Sequence, residues 1–366
     1  MNRLLELQKY GQSLWLDFIE RRLLASGELK RLVAEDGVRG VTSNPTIFDK
    51  AVSGSNAYDE EISEILAGSP RAAADDIYEK LAITDIRNAC DVLRSVYEES
   101  DGVDGYVSLE ASPRLAHDTE GTIAEVRKLW KLVDRQNLMV KVPATPEGIP
   151  AIETLIGEGR NINITLMFSI GHYEAVANAY LSGIACAPDP RQVASVASFF
   201  VSRVDTKVDK ALEQIGTPEA LALRGKVAVA NSKLVYRRFQ EVFQVDEFAR
   251  LREKGARVQR VLWGSTSTKS PDYSDLLYVE PLIGRDTVNT MPPATIDAFR
   301  DHGTAGATAK AGSDEAQATL AALKELGVDL DIVTQELQVE GVKAFADSFA
   351  HLLETIEGKR KALLPA

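Results

Sequence analysis

Cysteine, histidine and long apolar runs are all scarce in this sequence. Its 366 residues include two cysteines and four histidines. Cys90 and Cys186 stand far apart in apolar, helix-like surroundings, and the histidines are scattered, so neither a disulfide framework nor a metal-ligand spacing is present. We therefore expect two buried free thiols, and neither a metal nor a cofactor.

No apolar run approaches the roughly 18 residues that a membrane span requires. The first residues, MNRLLELQKYGQSLW, have neither the sustained apolar core nor the cleavage site of a secretory signal. A net charge of −12 disfavours nucleic acid and anionic membranes as partners. The net charge does not exclude an anionic substrate, because local arginines and lysines can make a cleft positively charged. These features predict a cytoplasmic protein that acts on small molecules.

Short apolar or alternating runs recur along the chain, separated by stretches with helical periodicity. Such alternation is typical of parallel βα units, and eight units favour a closed (β/α)8 barrel of the α/β class. A doubly wound open sheet is the alternative, although its Gly-rich phosphate loop is absent. The eight predicted strands are Ser13–Ile19, Gly40–Phe48, Tyr106–Ala111, Leu138–Ala144, Asn161–Phe168, Ala194–Phe200, Lys226–Ala230 and Val258–Thr266.

Two regions exceed a simple strand–helix unit. Residues 49–104 hold at least two helices after the second strand. Residues 270–366 follow the last predicted strand with a proline-containing loop and the helical stretches Asp314–Leu326 and Val339–Ile356. We interpret residues 1–366 as one barrel domain, with strands and helices over 13–267 and a C-terminal helical extension over 270–366.

Polar residues interrupt four of the predicted strands, and they share one face of each. Successive side chains on a strand point to opposite faces, and helices cover the outer face of a barrel, so the polar set points inward. Late in each strand, this direction leads to the mouth at the carboxyl ends, where barrel enzymes hold their active sites. Buried charges are costly unless paired or used, which favours a functional site. The converging residues are Asp17, Glu110, Lys141, Asn163 and Thr165.

This set can perform Schiff-base chemistry. A lysine in an apolar strand is desolvated, which favours the neutral amine that attacks a ketone. The resulting iminium ion is an electron sink for cleaving the neighbouring carbon–carbon bond. Glu110 can move the protons of imine formation, and Asp17 can take the proton from the hydroxyl at the cleaved bond. Arg203, just beyond the sixth strand, could bind a terminal phosphate.

Three segments resemble the transaldolases, and they occur in the family's order within residues 13–267. They are Gly40–Phe48 (GVTSNPTIF), Leu138–Thr145 (LMVKVPAT) and Asn163–Ser169 (NITLMFS). The length and the extra helices are similar to the longer bacterial subgroup. The resemblance implies the pentose phosphate pathway reaction, in which a dihydroxyacetone unit passes from sedoheptulose 7-phosphate or fructose 6-phosphate to an aldose phosphate.

The same resemblance implies a role for each matching residue. Lys141 is the Schiff-base lysine, and Asp17 is the acid/base at the cleaved bond. Glu110 acts through a bound water during imine formation and hydrolysis, and Thr165 positions that water. Further matches are the dihydroxyacetone contacts Asn44, Asn163 and Ser198, the phosphate-binding Arg203, and the apolar Phe200 near the water.

One stretch departs from the family pattern. After the last predicted strand, better-known members carry Ser–Phe–Arg, whose arginine helps bind phosphate. Here Ser265 fits, but Ser267 stands at the arginine position. We expect Lys269 to supply the missing charge.

Three alternatives remain open. A Schiff-base aldolase that releases free dihydroxyacetone needs the same lysine, although Glu110, Phe200 and the chain length favour a transaldolase. A non-catalytic sugar-phosphate-binding barrel predicts loss of Lys141 or a carboxylate, and all are present. Fusion to a sugar-phosphate isomerase is disfavoured by the end at Ala366, after a basic stretch. A monomer and a homodimer are both compatible with the sequence.

Overall fold

A computed structural model describes residues 2–244 and 246–364. Within them, eight parallel strands form a closed barrel in chain order, with the eighth strand pairing to the first. This result confirms the predicted (β/α)8 fold. The strands are β1 (Gln12–Leu16), β2 (Val38–Thr42), β3 (Tyr106–Glu110), β4 (Leu138–Pro143), β5 (Ile162–Met167), β6 (Ser195–Phe200), β7 (Arg260–Gly264) and β8 (Thr287–Met291).

Helices surround the barrel, and several follow β2 and β8 in addition to the ordinary βα units. In the described residues they are α1 (Glu6–Lys9), α2 (Arg21–Ala25), α3 (Glu28–Asp36), α4 (Pro45–Ser53), α5 (Asp59–Gly68), α6 (Ala74–Val92), α7 (Arg94–Glu99), α8 (Thr119–Val133), α9 (Gly148–Gly157), α10 (Ile170–Cys186), α11 (Ser202–Ile215), α12 (Pro218–Leu221), α13 (Val227–Gln244), α14 (Asp246–Glu253), α15 (Pro293–His302), α16 (Ser313–Glu325) and α17 (Leu330–Leu363). None of them combines the length and the apolar character of a membrane span.

Local sequence explains where key helices begin. The side chains of Asn44, Asp118 and Ser169 each accept a hydrogen bond from a backbone N–H in the first turn of α4, α8 and α10. Proline at the first position of α4 supports the same boundary, because its φ is already helical and its missing N–H needs no partner. These caps place polar residues at the carboxyl ends of β2 and β5.

The amino-terminal end of the lumen, here called the floor, is filled by side chains. Gly40 allows close packing there, since a Cβ at this position would lie 2.5 Å from the indole of Trp15. The apolar floor residues form a small cluster of their own, separate from the main core between strands and helices. They are Trp15, Tyr106, Met139, Ala194, Val196, Leu262 and Val288.

One predicted strand is wrong, and the eighth strand lies elsewhere. Residues 226–230 belong to the start of α13, since a short apolar run does not distinguish a strand from a buried helix turn. The barrel closes instead through β8, within the region interpreted as a helical extension. Polar residues stand on both faces of Thr287–Met291 and a proline pair follows, which hid the strand in the sequence.

Three smaller expectations also need correction. The second strand ends at Thr42, and Pro45–Phe48 already belongs to α4. Cys90 is buried as expected, but Cys186 is exposed at the end of α10. The alternation in β5 breaks after Thr165, because the register against β6 shifts between Ile164 and Met167.

The long helix α17 packs across the carboxyl ends of the strands. It contacts α4, α5, α6, α11 and β5. Gln338 donates from Nε2 to the carbonyl oxygens of Ala144 at 2.8 Å and Leu166 at 3.1 Å, just beyond β4 and within β5. A helix that the sequence placed in a C-terminal extension thus forms one wall of the barrel mouth.

Candidate active site

A cavity of about 410 Å³ opens at the carboxyl ends of the strands, within the range of about 300–1,000 Å³ typical of small-molecule sites. We call it the mouth. Its walls come from the strand ends, from α4, from the loop after β7 and from α17. The lining includes Asp17, Asn44, Lys50, Lys141, Ser198, Phe200, Arg203, Ser265, Ser267, Lys269 and Phe345.

Lys141 lies in the mouth and is 4% exposed. It stands opposite Glu110 on β3 and Asn163 on β5 in the strand register. Its Nζ lies 3.3 Å from Oε2 of Glu110 and donates to the carbonyl of Ser43 at 3.2 Å. Burial raises the pKa of Glu110, and the charge of Lys141 opposes that rise. The pair therefore holds an amine beside a carboxyl group that accepts protons readily.

Asp17 follows β1 directly and faces the same cavity. Its Oδ1 accepts a hydrogen bond from the hydroxyl of Thr42 at 2.6 Å. Burial raises the pKa of Asp17, against the lowering effects of the Thr42 hydrogen bond and of the nearby Lys141, Lys269 and Arg203. A carboxylate whose pKa is raised is a stronger base than an ordinary one.

Asn163 and Ser198 form a connected polar wall. Asn163 donates to the hydroxyl of Ser108 at 3.0 Å, and Ser198 donates to Oδ1 of Asn163 at 2.6 Å. All three side chains are buried. Because Asn163 makes these bonds, its amide has a set orientation below the part of the mouth that Ser198 lines.

Thr165 is fully buried, and its hydroxyl has no hydrogen-bond partner among the described residues. The next residue, Leu166, has a φ of 61°, which is unusual for a residue with a branched side chain. Gln338 holds the Leu166 carbonyl, and a Cβ at Gly341 would lie 2.8 Å from Cδ2 of Leu166. The helix α17 is therefore fitted to this strained backbone beside Thr165.

Asn44 serves both the fold and the mouth. Its Oδ1 accepts a hydrogen bond from the backbone N–H of Ile47 at 3.0 Å, which caps α4. The carboxamide nitrogen is not used in this cap, and the residue lines the mouth. Because the cap holds Oδ1 of Asn44, its side-chain NH2 group remains as a donor at the mouth.

Three cations surround the outer part of the mouth. They are Arg203 in the first turn of α11, Lys269 after β7 and Lys50 on α4. Burial lowers the pKa of Arg203, and burial with the charges of Arg203 and Lys50 lowers that of Lys269. This mutual repulsion would be relieved by an anion bound among the three groups.

Aromatic rings hold the Arg203 guanidinium. Its central carbon lies 5.1 Å from the ring centroid of Phe200 and 5.9 Å from that of Phe345. Lys269 donates to the hydroxyl of Ser267 at 2.7 Å, and Ser265 lies 2.9 Å from the hydroxyl of Ser202 at the start of α11. The loop after β7 is thereby tied to the helix that carries Arg203.

Eight of the eleven residues given a role from the sequence line the mouth: Asp17, Asn44, Lys141, Ser198, Phe200, Arg203, Ser265 and Lys269. The other three lie just behind it. Glu110 contacts Lys141, Asn163 contacts Ser198, and Thr165 stands opposite Pro143 in the strand register. The sequence did not indicate Lys50 or Phe345, because both lie on helices whose periodicity reports burial rather than a shared site.

Among residues 2–244 and 246–364, no group of three or more His, Cys, Asp or Glu side chains is arranged to hold a metal ion. The polar groups of the mouth are instead an amine, carboxyl groups, amides, hydroxyls and three cations. Such a set matches a polyhydroxylated, phosphorylated ketone.

A family model for transaldolase/fructose-6-phosphate aldolase matches residues 14–356. The chain belongs to this family. Transaldolase from Thiobacillus denitrificans is 51% identical over 360 residues, which cover 97% of this chain and 100% of that protein. Transaldolase 2 from a Nostoc species is 45% identical over 100% of this chain and 99% of its own. Transaldolase from Mycolicibacterium smegmatis is 48% identical over 97% of both chains.

These matches extend well beyond the segments that carry the resemblance in the sequence. The transaldolase/fructose-6-phosphate aldolase model includes β8 and most of α17, the regions that the sequence analysis interpreted as a C-terminal extension. Similarity over nearly the whole chain therefore agrees with the structure, in which α17 is part of the mouth.

Proposed function

We propose that this protein is a transaldolase that transfers a dihydroxyacetone unit between sugar phosphates through a Schiff base on Lys141. The observation that carries the proposal is the buried contact between Lys141 and Glu110 in a cavity rimmed by cations. A buried lysine beside a carboxyl group can pass its proton to that group and become a nucleophile. The similarity to proteins named transaldolase supports the same reaction.

Imine formation begins when the neutral Nζ of Lys141 attacks the ketone carbon of the donor. Glu110 then protonates the carbinolamine oxygen, the carbon–oxygen bond breaks, and water leaves. The unpartnered hydroxyl of Thr165 and Oε2 of Glu110 are the buried groups that could hold this water. The same groups serve the reverse step, in which water adds to the iminium carbon and returns its proton to Glu110.

Carbon–carbon cleavage needs a base at the hydroxyl next to the cleaved bond. Asp17 faces the mouth on the side of β1, with Thr42 fixing one carboxylate oxygen. Asp17 takes the hydroxyl proton while the bonding electrons move to the iminium, and the aldose phosphate departs. The enamine carbon left on Lys141 then attacks the carbonyl carbon of an acceptor aldose, and Asp17 returns the proton to the carbonyl oxygen. Hydrolysis of the new iminium releases the product and restores the lysine amine.

The remaining side chains divide the mouth into two parts. Asn44, Asn163 and Ser198 lie near Lys141 and suit the hydroxyl groups of the dihydroxyacetone unit. Arg203, Lys269 and Lys50 lie farther out and suit the terminal phosphate. Lys269 thus takes the place of the arginine that better-known members carry.

An aldolase that releases dihydroxyacetone remains the second candidate, because the family model covers both activities. Fructose 6-phosphate with erythrose 4-phosphate should yield sedoheptulose 7-phosphate and glyceraldehyde 3-phosphate. Mass spectrometry of the products should show three-carbon transfer far exceeding free dihydroxyacetone. Release of free dihydroxyacetone as the main product, whether or not the acceptor is present, would establish the aldolase instead.

A further inference from the structure

A second cavity of about 180 Å³ reaches Glu110 from outside the mouth. Its walls come from α6, α8, the residues after β3, and Phe349 of α17. Glu110 lines this second cavity, and Lys141 lines the mouth, so the two cavities adjoin at their 3.3 Å contact. We call it the rear cavity.

Polar side chains and apolar side chains share the lining of the rear cavity. Tyr78 lies deep in the protein, yet its side chain is partly accessible and lines this cavity. Glu125 lines it too, and its carboxylate accepts a hydrogen bond from the backbone of Ser112 at 2.9 Å. At the outer end stand the exposed Asp75 and Asp76. A polar cavity of this size can hold several waters.

Tyr78 is close to the catalytic carboxyl group. Burial raises the pKa of Tyr78, and the charges of Glu110, Glu125 and Glu79 raise it further. The phenol therefore keeps its proton and can both donate and accept hydrogen bonds. Phe48 and Phe349 pack edge-on against its ring, with centroids 5.9 Å and 5.2 Å away, so the ring is fixed between them.

Two ion pairs stand at the outer end of the rear cavity. Lys128 contacts Glu79, and Arg114 contacts Asp75 at 2.8 Å and lies over the Phe349 ring. These pairs lie at the rim, where their side chains are partly exposed. Oε2 of Glu110, at the inner end, has no hydrogen-bond partner among the described residues.

Resting on the Schiff-base function proposed above, we propose that the rear cavity is a water entrance to Glu110, in which Tyr78 positions the water of imine formation and hydrolysis. Imine formation releases one water and hydrolysis consumes one. A bound sugar phosphate fills the mouth during both steps. Through the rear cavity, the water released or consumed in these steps can exchange with solvent on the side of Lys141 away from the sugar. Tyr78 is a positioning residue here, because it acts through water on Glu110.

Oxygen exchange tests this role. Each cycle of imine formation and hydrolysis replaces the ketone oxygen of the donor by one from solvent. Fructose 6-phosphate in water labelled with oxygen-18 should thus gain label enzymatically, as measured by mass spectrometry. Tyr78→Phe, which removes only the hydroxyl, should slow this exchange about three- to tenfold, the effect of one hydrogen bond. The Michaelis constant for fructose 6-phosphate should stay unchanged.

Tyr173→Phe is the matched control. Tyr173 is buried on α10, its hydroxyl also has no partner among the described residues, and it lines neither cavity. Its exchange rate should equal that of the unmodified protein. Ala82→Leu, which narrows the rear cavity at its α6 wall, should slow exchange as Tyr78→Phe does, with thermal unfolding as the check on folding.

The outcomes separate this inference from the proposed function. If the unmodified protein forms no borohydride-trapped adduct on Lys141, the Schiff-base function itself is wrong. If the adduct forms but Tyr78→Phe exchanges oxygen at the unmodified rate, the water entrance is wrong and the function stands. Equal slowing in Tyr78→Phe and Tyr173→Phe would also overturn the assignment, since the effect would then not be local to Glu110.

Discussion

The two ends of the barrel lumen both contain buried charges, but only one end satisfies them internally. At the floor, Asp104 accepts hydrogen bonds from Ser13 at 2.7 Å, Trp15 at 3.1 Å and Arg260 at 2.9 Å. Arg260 also donates to Ser13 and to the carbonyl of Val103. At the mouth, the hydroxyl of Thr165 has no hydrogen-bond partner in the described residues, and Oε2 of Glu110 has only its 3.3 Å contact with Lys141.

The difference separates a structural network from a site that binds and reacts. Buried polar groups are normally satisfied, so each one that is not calls for a ligand, a water or a chemical role. The floor network joins β1 and β7 to the segment before β3 through the buried pair of Arg260 and Asp104. The mouth keeps an amine, a carboxyl group and a guanidinium available. We therefore expect mutations at the floor to change stability and mutations at the mouth to change turnover.

The largest effects should follow from the two mouth carboxyl groups, and at different steps. Glu110→Gln should slow imine formation by about 10²–10⁴, the usual loss for a general acid or base, because the carbinolamine oxygen loses its proton donor. Asp17→Asn should form the imine but stall before carbon–carbon cleavage. Quenched-flow borohydride trapping with fructose 6-phosphate measures the first step, and release of glyceraldehyde 3-phosphate measures the second. Equally fast trapping in both variants would refute this division.

Arg260→Met should destabilise the protein by disrupting the floor network, without changing turnover by the folded molecule. It leaves Asp104 buried without its cation, and removing one partner of a buried pair costs about 3–5 kcal/mol. The free energy of unfolding, from urea denaturation, should fall by that order, while turnover per folded molecule stays nearly unchanged. Arg94→Met is the control, because Arg94 pairs with Glu98 on an exposed face and should cost about 1 kcal/mol or less. A variant that loses turnover but not stability would contradict the comparison.

The cations of the mouth should contribute unequally to phosphate binding. Arg203→Ala should raise the Michaelis constant for fructose 6-phosphate by about 10- to 100-fold, since a hydrogen bond to a charged group contributes about 1.5–3 kcal/mol. Lys269→Ala should raise it less, because an ammonium is a single, more strongly hydrated charge than a guanidinium. Neither should alter turnover of an unphosphorylated ketose. An unchanged Michaelis constant in Lys269→Ala would show that Lys269 does not contribute to phosphate binding.

The smallest effect concerns a carboxyl group that belongs to neither end. Asp205 on α11 accepts hydrogen bonds from the backbone of Ala228 at 2.7 Å and from Tyr278 at 3.0 Å. Burial, with the charge of Asp209, raises its pKa from 3.8 to about 7. Between these values the folded protein holds a proton that the unfolded chain has lost, so its stability falls as pH rises across that window.

Asp205→Asn should remove this pH dependence. The group contributes a slope of at most about 1.4 kcal/mol per pH unit to the free energy of unfolding, and the slope should vanish in the variant. Urea denaturation between pH 4 and pH 8 measures it. Asp101→Asn is the matched control, since Asp101 is fully exposed. If the slope persists unchanged in Asp205→Asn, groups other than Asp205 cause the pH dependence of stability.

Much of the barrel and of the mouth could be predicted from the sequence, for a physical reason. Alternating apolar and polar residues in β1, β3, β4 and β5 report the inner face directly, and the strand ends then locate the mouth. The same rule failed at β8, where polar residues stand on both faces, including the buried Asn289. It also failed at residues 226–230, where a buried helix turn has the composition of a strand.

Contacts between distant segments could not be predicted in this way. Phe345 contacts Arg203 only because α17 crosses the mouth. Lys50 lines the mouth because α4 begins at the Asn44 cap. Both positions depend on tertiary packing rather than on a local period. The rear cavity likewise depends on Phe349 of α17, which is far in the chain from α6, β3 and α8.

The most direct test of the account is the identity of the lysine that forms the imine. Borohydride reduction in the presence of fructose 6-phosphate, followed by peptide mass mapping, should place the three-carbon or six-carbon adduct on Lys141 alone. Lys141→Arg should give no adduct and no turnover while remaining folded, because a guanidinium stays protonated. An adduct on Lys50, Lys269 or another lysine, or none at all, would contradict the account.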